Sequence, residues 1–221
     1  MRLVRSLLVT AVAGGIVTGP ATAHAGLQAA RPLVVRIYDA FGVPSGDLNT
    51  VQTITSAILR DAGIDLVWRN CAGLDEQATT ACQEVLGPAE LVVRILASRS
   101  QRVPNSLGYS LVDVQRRAGW IATMYADRVR ALATESAFDF GKLLGRSIAH
   151  EIGHLLLGTS DHSNRGLMRG NWSTTELKRD QRWDWDLSQS EAAQMRLALA
   201  TRSSRPTEPA TIVAGLRAWE N

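Results

Sequence analysis

The sequence predicts an α+β fold, with a mixed, twisted sheet of about five strands in its N-terminal half and helices after it. Three observations carry this reading. Apolar strand, helix and strand patterns succeed one another across residues 33–68; three further β-type segments lie within residues 91–125; from Phe140 onward the apolar spacing becomes helical.

Leu33-Val34-Val35-Arg36-Ile37-Tyr38 is a strand pattern, closed by the turn residues Gly42, Pro44 and Gly46. Leu48, Val51, Ile54, Ile58 and Leu59 then recur at helical spacing, Gly63 supplies a stop, and residues 64–68 read as a second strand. This βαβ opening favours parallel pairing. Residues 91–96 read as a buried strand, and 109–114 and 120–125, on either side of a polar turn, complete the sheet. The apolar residues Leu144, Ile148, Ile152 and Leu155 mark one side of a helix over 140–157. A last helix starts at Ser188, which with Glu191 three residues on has the form of a capping box, and it continues through Met195 and Leu199. Residues 203–221, rich in Ser, Pro and Thr, predict a loosely held tail.

Residues 1–25 run from two arginines through an apolar stretch to Ala23-His24-Ala25, the order of a secretory signal peptide. The stretch is short for a spanning helix, and no later run approaches the roughly 20 apolar residues a bilayer needs. The expectation is an exported protein, free of the membrane once the leader is removed, with residues 26–202 forming one domain. Arg2 and Arg5 would leave with the leader, taking two charges from a formal net charge of +3, and no basic tract points to nucleic acid. The chain has two cysteines, Cys71 and Cys82, which an oxidising compartment would join in a disulfide.

Three of the four histidines lie in one short stretch, His150-Glu151-Ile152-Gly153-His154-Leu155-Leu156-Leu157-Gly158-Thr159-Ser160-Asp161-His162. At about 100° per residue, Ile148 and Ile152 each lie about 200° around the helix from His150, so the histidines face away from the apolar stripe. His150 and His154, four residues apart, project from adjacent turns of that face and can converge on one ion. Glu151 lies beside them without being aimed at the metal, which suits a carboxylate that takes a proton from water activated there. Gly158 is a natural helix stop. The helix advances about 6 Å from His154 to Gly158, and four extended residues can return roughly 13 Å, so His162 can reach the same ion. Asp161, one residue earlier, offers an oxygen ligand in its place.

This stretch resembles the signature of the metzincin clan of zinc metallopeptidases, HExxHxxGxxH followed by a methionine-containing turn. Each of the two spacers here is one residue longer. The resemblance implies His150, His154 and His162 as ligands of one catalytic zinc ion, with Asp161 as the substitute for the third. It implies Glu151 as general base, Gly158 as the turn, and Met168, reached through His162-Ser163-Asn164-Arg165-Gly166-Leu167, as the residue beneath the metal. It also implies a zincin-like layout of βαβ opening, active-site helix, Met-turn and C-terminal helix, with an extended peptide substrate added at a sheet edge formed by 109–114 or by its neighbour from Trp120. No tyrosine follows Met168, so a tyrosine fifth ligand has no candidate.

The function these expectations describe is a secreted zinc-dependent metalloendopeptidase. Two alternatives stand beside it: a non-catalytic exported protein that uses zinc as a structural staple, with Asp161 and His162 closing the coordination sphere, and a zinc hydrolase of small amides or esters. Trp172, Trp183 and Trp185 would form a subsite wall or pack in the core.

Overall fold

The computed structural model describes residues 31–71, 80–98 and 106–204. The leader read at residues 1–25 lies outside them, as does the expected tail from residue 205 onward.

Strand β1 (Leu33–Asp39) places Leu33, Val35 and Ile37 on one buried face, and the Asp39 carboxylate ends it by accepting hydrogen bonds from the N–H groups of Phe41, Gly42 and Val43. Helix α1 (Ser45–Asp61) follows, burying Val51, Thr55 and Leu59 at helical spacing. Strand β2 (Leu66–Cys71) pairs with β1 in parallel, as the βαβ reading requires, but it begins two residues later than the pattern predicts. The reason is local. The N–H of Ile64 donates to the Leu59 carbonyl at 2.8 Å and so closes the end of α1, although its buried side chain reads as part of a strand. Cys71 at the end of β2 is joined to Cys82 of the short helix α2 (Thr80–Gln83), with 5.8 Å between their Cα atoms.

Strands β3 (Glu90–Leu96), β4 (Gly108–Asp113) and β5 (Ala118–Tyr125) complete a five-stranded sheet among the described residues, in the order β2-β1-β3-β5-β4. All pairings are parallel except β4 with β5, so the sheet is mixed and β4 is its outermost strand on that side. Helix α3 (Ala126–Glu135) starts directly after β5. It is absent from the sequence reading because it is anchored by Ala126, Val129 and Ala133, two of them too small to mark an apolar stripe.

Helix α4 (Phe140–Leu157) is capped by the Asp139 carboxylate, which accepts from the Lys142 N–H, and stopped by Gly158 at φ 66°. The sequence marks one apolar side, yet 15 of its 18 residues are buried. One side packs on α1 and on strands β4 and β5; the histidine side is covered by the chain that returns after Gly158. Thr55 on α1 donates to the Gly145 carbonyl of α4 at 2.9 Å, a buried link between the two helices.

After α4 come helix α5 (Thr174–Arg179), a single 3-10 turn at Arg182–Asp184, and helix α6 (Gln189–Ser203). The capping box at Ser188 and Glu191 is present as the sequence predicts. The buried Arg202 guanidinium ties α6 inward by donating to the carbonyls of Gly119 on β5 and Leu155 on α4. No helix among the described residues is long and apolar enough to cross a membrane.

Candidate metal centre and cleft

His150 and His154 lie one helical turn apart on α4, and His162 returns over them from the segment after Gly158. The Nε2 atom of His154 is 3.0 Å from Nε2 of His150 and 3.3 Å from Nε2 of His162. The ligand nitrogens of the three rings all lie within 4.8 Å of one another, and this is the cluster of metal-ligating side chains found among the described residues.

The far side of two rings fixes their chemistry. His150 Nδ1 is 2.8 Å from the Leu167 carbonyl oxygen, and His154 Nδ1 is 2.9 Å from that of Thr159. A carbonyl oxygen only accepts, so each Nδ1 carries the hydrogen and each Nε2 keeps its lone pair for an ion. Burial reinforces this. It pulls the His150 imidazole down to about 4 against the opposing Leu167 hydrogen bond, and it lowers His154 as well. Both rings are thus neutral near pH 7, the form that binds a metal. Three converging imidazoles suit zinc.

The two candidates for third ligand lie differently with respect to this cluster. Asp161 is exposed, and its carboxylate accepts a hydrogen bond from the Thr159 hydroxyl at 2.8 Å; it does not join the cluster. His162 does. The reason is the direction of the chain as it turns back after Gly158, which spacing alone leaves open.

Met168 is 1 % exposed and packs against Gly153, the residue before His154; a Cβ at Gly153 would collide with the Met168 sulfur. Its turn is closed by the Ser163 N–H, which donates to the Met168 carbonyl at 2.8 Å, and is pinned to α4 through Leu167 and His150. Arg169 holds the turn from the other side, donating to the Gly166 and Asp184 carbonyls and pairing with Glu176.

Glu151 is buried beside His150, and burial pushes its carboxyl up to about 7 while a hydrogen bond from Ser110 opposes the rise. The Ser110 hydroxyl lies 2.7 Å from Oε2 of Glu151 and 2.9 Å from its carbonyl oxygen. Sequence reasoning missed Ser110, since nothing in a strand pattern announces a contact with a residue 41 positions away.

These groups line a cleft of about 490 Å³ between β4 and α4, with Leu107, Tyr109, Leu132 and Trp172 among its walls. The three tryptophans divide. Trp172 lines the cleft with its ring edge-on to His150 at 5.6 Å. Trp185 is buried, with the Arg146 guanidinium stacked 3.9 Å from its ring centre, and Trp183 is exposed and does not line the cleft.

No protein-family model matches the chain, and no curated protein matches it. Among solved structures, the chain is similar to archaemetzincin from Methanopyrus kandleri, with 12% identity and a TM-score of 0.49 over 76% of this chain and 96% of that one. It is also similar to a zinc-dependent peptidase from Methanocorpusculum labreanum, with 13% identity and a TM-score of 0.48 over 73% of this chain and 99% of that one.

Proposed function

We propose that the chain is an exported zinc metalloendopeptidase, with His150, His154 and His162 as the zinc ligands and Glu151 as the general base. The observation that carries this reading is the convergence of three histidine Nε2 atoms beside a buried carboxylate, within one cleft along an outermost strand. Zinc bound there would supply a Lewis acid for the scissile carbonyl and make water acidic enough to attack near neutral pH. Glu151 takes the proton of the attacking water and returns it to the leaving amine. Strand β4 receives the substrate as an added extended strand. Met168 supports the histidines from beneath, against Gly153. Export rests on the leader pattern, with which the Cys71–Cys82 disulfide is compatible.

The structural-staple alternative needs Asp161 and His162 to fill both remaining coordination positions. The Asp161 carboxylate is engaged with Thr159, which disfavours it. A small-molecule hydrolase differs from a peptidase in substrate alone, and a peptide-library digest run beside small esters and amides separates the two. The direct test is Glu151→Gln. This variant keeps its zinc and loses roughly 100- to 10,000-fold in peptide hydrolysis. Undiminished hydrolysis removes Glu151 from its role.

A further inference from the structure

Strand β4 places one hydroxyl against the carboxylate of α4. Ser110 Oγ is within hydrogen-bond reach of two oxygens of the same residue, Glu151 Oε2 at 2.7 Å and Glu151 O at 2.9 Å. A serine has a single hydrogen to donate, so both contacts cannot be donor bonds at one moment. The two acceptors instead define two settings of one rotor. In one setting the hydroxyl donates to Oε2; in the other its hydrogen turns to the Glu151 carbonyl.

We propose that Ser110 is a positioning residue for Glu151, holding its carboxyl at one place in the cleft through its contacts with Oε2 and with the carbonyl oxygen of the same residue. The inference rests on the peptidase reading and deepens it. In the hydrolytic step the O–H bond of the attacking water breaks as its oxygen bonds to the scissile carbonyl carbon and its proton to the Glu151 carboxylate; the C–N bond then breaks as that proton passes to the leaving nitrogen. Ser110 transfers nothing. Its hydrogen only swings between two acceptors of Glu151, so the carboxyl keeps its neighbour in either setting. A hydroxyl can do this, which serine and threonine carry and alanine does not. Ser110 also lies on the strand that receives substrate in this reading, so the base and the substrate backbone share one rigid support.

A merely structural role, in which Ser110 satisfies a buried carboxylate, predicts a loss of stability and nothing specific in turnover. The test therefore compares wild type, Ser110→Ala and Ser110→Thr for zinc content, melting temperature, and kcat and KM on one peptide. The positioning role requires Ser110→Ala to bind zinc as wild type does and keep KM, while kcat falls roughly 10- to 100-fold and Ser110→Thr recovers most of the loss. A crystal structure of zinc-loaded Ser110→Ala would show the Glu151 carboxyl in more than one rotamer. Unchanged kcat in Ser110→Ala, or a fixed Glu151 rotamer, overturns the positioning role while leaving the peptidase reading intact. A zinc-loaded wild type that cleaves no peptide overturns both.

Discussion

The Nδ1–H of His150 donates to the carbonyl oxygen of Leu167 at 2.8 Å, joining helix α4 to the turn that carries Met168. That carbonyl follows Gly166, which sits at φ 71° where an added Cβ would fall on the Asp186 carbonyl oxygen. A side chain there meets both strain and collision. Gly166→Ala should displace the Leu167 carbonyl and weaken zinc binding by roughly 10- to 100-fold, the range for losing an outer partner of a ligating histidine. Titration with a zinc chelator measures it, and wild-type affinity would detach the turn from the metal centre.

The choice between Asp161 and His162 yields a paired prediction. His162→Ala should lower zinc affinity by more than about 100-fold, since it removes one of three ligands rather than an outer partner. Asp161→Ala should leave affinity unchanged, because its carboxylate is turned to Thr159. The opposite ranking would restore Asp161 as the ligand.

The disulfide is separable from the site. Joining Cys71 to Cys82 closes a short loop and stabilises the fold by roughly 2–3 kcal/mol through the unfolded chain. Neither cysteine lines the cleft. The Cys71→Ala, Cys82→Ala double variant should lose about that much in urea unfolding while keeping its zinc stoichiometry. Loss of zinc alongside would mean that the clip supports the metal centre.

Arg202 gives a test of the packing behind the site. Its buried guanidinium satisfies the carbonyls of Gly119 and Leu155, and Arg202→Met leaves both without that donor. The expected cost is roughly 2 kcal/mol or more, at about 1–3 kcal/mol for each buried group left unsatisfied. A change within 0.5 kcal/mol in calorimetry or urea unfolding would mean that water replaces it.

What the sequence makes legible follows from where the physical signal sits. Strong apolar periodicity announces β1, β3, α1 and α4, and the capping box announces α6, because burial and end-capping are local in sequence. Helix α3 is hidden since alanines bury without marking a stripe, and the start of β2 is misplaced since Ile64 is buried yet closes a helix. In the site, the His150 and His154 pair can be read from one helical turn. The direction of His162 against Asp161 depends on the chain reversal at Gly158, and the Ser110–Glu151 contact depends on a sheet bringing β4 beside α4. Those are tertiary facts, and no window of residues contains them.

The central claim is that three imidazole nitrogens hold one zinc ion and leave a corner open. X-ray absorption at the zinc edge of the purified protein, with and without a competing small ligand such as azide, tests it most directly. The account predicts three nitrogen neighbours at about 2.0–2.1 Å plus one exchangeable ligand that azide replaces. Four ligands supplied by the protein and indifferent to azide, or fewer than three imidazoles, would contradict it.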